Sequence, residues 1–263
     1  MKLSVITINY NNLQGLADTI KSVEAQSVKD FEWVVVDGGS TDGSRELIEE
    51  HSESIDVWVS EPDAGIYNAM NKGIRMSTGD YLLFLNSGDL FANEQVVEKV
   101  IPALTGEDFI VGSIFHSDKL GVKVFTEKDL KPERLAFLFT TYSFPHQSTF
   151  TKRSVFDRYG LYREDLKIVS DWVLLFQALV MHQASTKYIP VVVSIYDVGG
   201  VSAVNKQLYN NERDKVMKEW KYLSPYIKFY KDYYEMVHLI NNNKLLYGLF
   251  RVFFYFNRKS KKK

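Results

Sequence analysis

Val34-Val35-Val36-Asp37-Gly38-Gly39-Ser40-Thr41-Asp42-Gly43-Ser44 sets three adjacent valines directly against a polar, glycine-rich break. A run with no polar face suits a strand covered on both sides, the environment of a parallel sheet. Glu32–Val36 therefore reads as a buried strand halted at Asp37, with a helix following through Leu47 and Ile48. The same unit recurs on either side. Leu3–Ile8 is an apolar run closed by Asn9, Asn11 and Asn12, after which Leu13, Leu16, Ala17, Ile20 and Val23 fall at helical spacing, with Asn11 or Asn12 as the cap. Val57–Val59 predicts a third strand and Ala69–Met76 a helix. Tyr81–Leu85 predicts a fourth strand, which runs into Asn86-Ser87-Gly88-Asp89. This alternation implies an α/β fold with a parallel sheet and ligand sites at the carboxyl ends of its strands.

Beyond Asp89 the alternation loosens. Gln95–Leu104 reads as helix, Phe109–Val111 and Val122–Phe125 as strands, Pro132–Phe139 as helix, Ser148–Phe150 as strand, Asp171–Met181 as helix and Tyr188–Tyr196 as a long β run. No repeat or flexible linker divides this stretch, so one domain is expected to end near residue 205.

Composition agrees with a packed globular chain. The 263 residues are 45% hydrophobic, 25% charged and 14% aromatic, enough for a core without disulfides. The absence of cysteine removes thiolate metal sites and cysteine nucleophiles. The apolar start is too short and too soon polar for a signal peptide, so cytoplasmic residence is the expectation. The net charge of −1 conceals segregation: residues 206–263 hold 14 Lys+Arg against 5 Asp+Glu, leaving 18 against 28 in residues 1–205. The tail is basic and aromatic, the body acidic.

Neither a GxGxxG after the first strand nor a GxxxxGK[ST] occurs, which argues against dinucleotide and P-loop chemistry. The strand ends carry carboxylates instead: Asp37 and Asp42, Asp63, and Asp89. Such a group suits a hard divalent cation that shares its ligands with a substrate diphosphate. The same residues also suit plain turns and helix caps.

Three of these segments, Val5-Ile6-Thr7-Ile8-Asn9-Tyr10-Asn11, the Val34–Ser44 stretch and Gly79–Asp89, together with Glu61-Pro62-Asp63-Ala64-Gly65-Ile66-Tyr67-Asn68-Ala69-Met70-Asn71-Lys72-Gly73, resemble the inverting family 2 glycosyltransferases. The resemblance covers roughly residues 2–205. It implies the GT-A fold, with a Rossmann-like, mostly parallel central sheet flanked by helices: residues 1–90 as the nucleotide half, 91–205 as the acceptor half and 206–263 as a helical extension. It also implies roles for particular residues. Thr7 and Tyr10 would border base and ribose, Asp37 would accept a hydrogen bond from the base, and Asp63 would help hold it. Lys72 would meet the diphosphate and Ser87 would belong to the same nucleotide site. Asp89 would hold Mg²⁺ or Mn²⁺ against the diphosphate. Asp171, in Val169-Ser170-Asp171-Trp172, would be the general base, with Trp172 as a stacking wall beside a sugar. The bland alternative for this pair is a helix cap and a core tryptophan. His146, in Phe144-Pro145-His146-Gln147-Ser148, would contact diphosphate, metal or acceptor, or be structural. Gly199-Gly200-Val201-Ser202 reads as a closing segment or a simple turn.

Departures from the family pattern also carry information. Asn86 and Gly88 stand where acidic residues are common, leaving Asp89 as the motif's one carboxylate, and Met70 stands where many relatives have arginine. No QxxRW follows Asp171, which implies transfer of one sugar rather than polymerisation. In the tail, Tyr226–Ile240 approximates an apolar helical face. Leu245–Phe256 would be about 18 Å long as a helix against roughly 30 Å of hydrocarbon, too short to span. Ending in Arg258, Lys259, Lys261, Lys262 and Lys263, it suits an anionic membrane surface, and a helix packed on the body or on a dimer partner is the alternative. The expected partners are a nucleotide-sugar donor, UDP-linked in the first instance, and a glycan or undecaprenyl-diphosphate-linked acceptor at the inner face of the membrane, with no nucleic acid. Rival readings are a sugar-nucleotide-binding protein without transfer activity and a sugar nucleotidyltransferase. The latter normally shows a Gly-rich, arginine-containing loop where this chain has Asn9-Tyr10-Asn11-Asn12.

Overall fold

A computed structural model describes residues 1–118, 121–125, 144–197 and 205–221, with isolated positions beyond. The expected Pro132–Phe139 helix, the Gly199–Ser202 segment and the tail from Leu245 lie outside the described residues, as does most of Tyr226–Ile240.

The first half follows the alternation. β1 (Leu3–Asn9), β2 (Glu32–Asp37), β3 (Val57–Ser60) and β4 (Tyr81–Phe84) are joined by α1 (Leu13–Glu24), α2 (Ser44–Glu50) and α3 (Ile66–Met76). They pair in parallel in the order β3-β2-β1-β4. Every residue of β1, β2 and β4 is buried, as strands covered on both faces require. Ile6, Ile8, Val34 and Val36 face one helical layer that includes α3, while Leu3, Val5, Trp33 and Val35 face the layer containing α1. α3 lies close on β1 because Gly73 has no side chain: a Cβ there would stand 2.5 Å from Ile6 Cγ2.

The second half is mixed. β4 continues to β8 (Thr149–Lys152), then β6 (Phe109–Asp118), β9 (Thr186–Asp197) and β5 (Leu90–Phe91), with β7 (Gly121–Phe125) hanging on β6. Of these pairings only β6 with β9 is parallel. Several expected elements change here for local reasons. The Gln95–Leu104 helix shortens to α4 (Val96–Val100) and passes into a 3₁₀ turn at Ile101–Ala103, where Pro102 has no N–H to donate. After α5 (Arg153–Tyr159), the expected Asp171–Met181 helix is α6 (Ser170–Leu175) followed by a π turn over Phe176–Met181.

The segment after residue 205 begins as α7 (Lys206–Glu219), capped by Asn205 and packed on the body. Val216 is fully buried, Trp220 stacks on Phe176 with centroids 5.2 Å apart, and Glu212 accepts backbone N–H bonds from Lys167 at 2.7 Å and Ile168 at 2.9 Å. Among the described residues, no helix is long and apolar enough to cross a membrane.

Candidate active site

Parallel pairing brings Asn9, Asp37 and Ser60 side by side at the carboxyl ends of β1, β2 and β3. Above this edge opens a cleft of about 1140 Å³ whose walls come from both halves of the sheet. Tyr10, Gly38, Asp63, Ser87 and Asp89 line the nucleotide-half side, and His146, Asp171 and Trp172 the other.

Four carboxylates were expected at these strand ends, and they divide into two kinds. Asp37 is fully buried and acts within the protein: Oδ1 accepts from Asn9 Nδ2 at 2.8 Å and Ser40 Oγ at 2.5 Å, Oδ2 from Ser40 N at 2.9 Å and Ser60 Oγ at 2.7 Å. Burial alone would raise its pKa, but the hydrogen bonds from Ser40, Ser60 and Asn9 outweigh it and hold the carboxyl below its ordinary value. Asp42 ties the turn before α2 to the start of α1, accepting from Leu13 N at 2.9 Å and from Ser44 Oγ at 2.6 Å, while Gly43 holds the N-cap position of α2. Asp63 and Asp89 are the two that line the cleft. Asp63 closes its own turn by accepting from Gly65 N at 2.8 Å and lies over Gly38, where a Cβ would stand 2.4 Å from its Oδ2. Gly38 thus lets the two loops meet.

Thr7 and Lys72 stand apart from this group. The Thr7 side chain is buried under Trp33, accepting from its Nε1 at 3.1 Å. Lys72 pairs with Glu61 at 2.7 Å and donates to the Pro62 carbonyl at 3.1 Å. Tyr10 is 65% exposed at the mouth, and Ser87 is tied to Asn12, whose Nδ2 lies 3.3 Å from Ser87 Oγ.

Asp89 sits in a tight turn with Gly88 at φ +97°, a conformation that favours glycine. It is buried, and its Oδ2 accepts from Asn86 N at 3.2 Å. Asn86 Oδ1 is buried beside it without a hydrogen-bond partner. No cluster of three or more His, Asp or Glu side chains that could hold a cation alone occurs among the described residues. One carboxylate with one unsatisfied amide oxygen fits a hard cation that completes its shell with a diphosphate.

On the opposite wall, Asp171 opens α6. Its Oδ1 accepts from the Tyr67 hydroxyl at 2.9 Å, and its Oδ2 lies 3.4 Å from His146 Nδ1. The other ring nitrogen of His146 is 3.2 Å from Asn86 Nδ2, so a chain of polar contacts runs from Asp171 through His146 and Asn86 to Asp89. Burial would lower the His146 pKa, but the bond to Asp171 and the negative charges of Asp171 and Asp89 together raise it. Trp172 is 1% exposed, set against Phe176 at 5.2 Å and under the Arg213 guanidinium at 4.7 Å, a core packing that leaves little ring for a ligand.

Tyr67, Asn86 and Tyr209 also line the cleft, although none of them was expected there as a site residue. Tyr67 lay just before the expected Ala69–Met76 helix, and Asn86 in a segment that also suits a plain turn. Tyr209 comes from α7, beyond the expected boundary.

The cleft thus gathers Asp63 and Asp89 from one half of the sheet and His146 and Asp171 from the other. The chain belongs to glycosyl transferase family 2, whose description matches residues 4–160. Over 203 residues it is 34% identical to an uncharacterised glycosyltransferase of Mycobacterium tuberculosis, covering 76% of this chain and 77% of that one. Over 207 residues it is 29% identical to a PGL/p-HBAD biosynthesis glycosyltransferase of Mycobacterium bovis, covering 76% and 78%. Among solved structures, S. aureus TarS 1–349 in complex with UDP-GlcNAc superimposes with TM-score 0.61 at 20% identity, covering 75% of this chain and 58% of that one. The mannosyltransferase PcManGT from Pyrobaculum calidifontis in complex with GDP-Man and Mn²⁺ gives TM-score 0.57 at 19% identity, covering 76% and 58%. The chain therefore spans less than two thirds of either structure, and both likenesses speak to the GT-A fold.

Proposed function

We propose that this glycosyltransferase moves one sugar from a UDP-linked donor to a glycan or undecaprenyl-diphosphate-linked acceptor, with inversion at the anomeric carbon, in assembly of a bacterial surface polysaccharide or glycolipid. The observation that carries the reading is the placement of Asp171: a cleft-lining carboxylate, fixed by Tyr67, across from the Asp63 and Asp89 loops.

In this reading Tyr10 and Asp63 flank the base, and Asp37 shapes their platform by bracing the loop that carries Gly38. A base contact to Asp37 itself would have to displace one of the four donors that hold it. Asp171 accepts the proton of the acceptor hydroxyl as its oxygen forms the new bond to the anomeric carbon. The bond from that carbon to the diphosphate breaks, and its electron pair leaves with the nucleotide. Approach from the side opposite the leaving group inverts the configuration. Asp89 and Asn86 would hold Mg²⁺ or Mn²⁺, which when bound supplies positive charge to the leaving diphosphate. His146 links the two walls, with Nδ1 3.4 Å from Asp171 Oδ2 and Nε2 3.2 Å from Asn86 Nδ2.

The UDP complexes of TarS and the Mn²⁺ complex of the mannosyltransferase support a nucleotide-sugar donor and a divalent cation. The Mycobacterium bovis relative, a PGL/p-HBAD biosynthesis glycosyltransferase, supports a biosynthetic glycosyl transfer. The basic, aromatic sequence of residues 245–263 supports peripheral attachment to an anionic membrane face. A thermal-shift screen of UDP- and GDP-sugars with and without Mn²⁺ tests the donor assignment. Stabilisation by a UDP-sugar that grows with Mn²⁺ is expected, and indifference to every nucleotide would refute it.

A further inference from the structure

Helix α3 faces the donor side of the cleft through its first residues and also reaches across to the acceptor half. Tyr67 is 4% exposed, with its ring 5.6 Å from that of Tyr162, and its hydroxyl donates to Asp171 Oδ1 at 2.9 Å. One turn later, Asn71 is buried and bonds both backbone groups of Tyr162: Nδ2 donates to its carbonyl at 2.8 Å and Oδ1 accepts from its N–H at 3.0 Å. Asn68 and Asn71 each donate to Glu164 at 2.8 Å. Residues 67, 68 and 71 share one helical face. That face fixes the strand of chain leading to α6 as well as the carboxylate at its start.

A buried hydroxyl aimed at a carboxylate is not needed to fill space, because phenylalanine would pack the same volume. Burial and the charge of Asp171 keep the Tyr67 hydroxyl protonated far into the alkaline range, so it remains a donor. The carboxylate's other oxygen is held more loosely, by His146 Nδ1 at 3.4 Å, and keeps a lone pair for an incoming proton.

We propose that Tyr67 is a positioning residue for Asp171, pinning Oδ1 so that Oδ2 is presented to the acceptor hydroxyl. The proposal rests on Asp171 being the general base. It makes α3 the element through which the donor loop and the base share one rigid support.

The test is Tyr67→Phe, alone and combined with Asp171→Asn, assayed by UDP release from a UDP-sugar that the wild type turns over, with UDP affinity measured by calorimetry. Loss of one hydrogen bond to a charged group should lower kcat roughly ten- to a hundredfold. Donor KM and UDP affinity should stay within about twofold, and Tyr67→Phe should cost nothing further in the Asp171→Asn background. A wild-type kcat would overturn the proposal. So would a loss of UDP affinity parallel to the loss of kcat, or a full additional loss in the double variant, since either would mean a general structural role. Asp171→Asn alone retaining wild-type turnover would instead defeat the base assignment on which the proposal stands.

Discussion

Asp37→Ala removes the carboxylate that joins the ends of β1, β2 and β3. Four donors converge on its two oxygens, filling the roughly four lone-pair positions a carboxylate offers. The two serine hydroxyls can rotate toward other acceptors, but the Ser40 N–H and one N–H of the buried Asn9 amide, whose Nδ2 keeps only Ser40 Oγ at 3.2 Å, would lose their acceptor. Each such orphan costs about 1–3 kcal/mol, so the substitution should cost about 3 kcal/mol in all. For a domain of this size that lowers Tm by about 6–12 °C. Asp37→Asn should cost less, about 1 kcal/mol, because one amide oxygen remains as an acceptor. The new NH₂ can meet a rotated serine hydroxyl or Asn9 Oδ1, which is buried without a partner. The pH dependence has a definite sign. The folded carboxyl titrates below its ordinary value, so the brace is fully present above that value and is lost as pH falls through the depressed one. The gap between wild type and Asp37→Ala should be constant from about pH 5 to 8 and narrow below about pH 4. Differential scanning fluorimetry across pH, with UDP affinity in parallel, reads all of this. An unchanged Tm in Asp37→Ala would refute the brace, and an unchanged Tm with lost UDP binding would place the carboxylate on the base.

Glu32→Gln tests a second buried carboxylate. Burial pushes the Glu32 carboxyl up, but bonds from Ser4, Thr78 and Lys2 bring it down to about 2. It should contribute about 2 kcal/mol after allowance for screening, present above about pH 4.5 and lost as pH falls toward 2, measurable by urea unfolding at pH 7 and about pH 2.5. Gly38→Ala would drive a Cβ into Asp63 Oδ2, so the Asp63 carboxylate that lines the cleft must shift. UDP affinity should fall about tenfold with a Tm loss of only a few degrees, consistent with overpacking of about 1–3 kcal/mol, and unchanged affinity would place the nucleotide elsewhere. Deleting residues 245–263 should abolish flotation with anionic vesicles while leaving UDP affinity intact; equal flotation of both forms would remove the membrane role from this segment.

The nucleotide half was legible because its signals are local. Runs such as Val34–Val36 announce a doubly covered strand, and Asp-Gly-Gly-Ser and Asn-Ser-Gly-Asp announce where it stops. Local signals do not reach the setting of Asp37, whose three side-chain partners come from three different strand ends and loops that only parallel register brings together. Asp171 and His146 could be singled out through resemblance, but not their contact, which joins residues 25 positions apart. Tyr67 lies further still, 104 positions from Asp171. A signal for it did exist in Asn68 and Asn71, polar residues in a helix whose remaining inner positions are apolar, with Asn71 only 1% exposed. Buried amides of that kind mark a place where backbone of another segment must be held. Trp172, next to Asp171 in sequence, packs against Phe176 and also against Trp220 and Arg213, which come from beyond residue 205.

The decisive measurement is nucleotide release by Asp171→Asn against wild type, with the UDP-sugar and Mn²⁺ at saturation and UDP affinity confirming that both proteins are folded. If Asp171 takes the acceptor proton, turnover should fall by about 10²–10⁴-fold while UDP affinity is unchanged. Turnover within a few fold of wild type would contradict the mechanism.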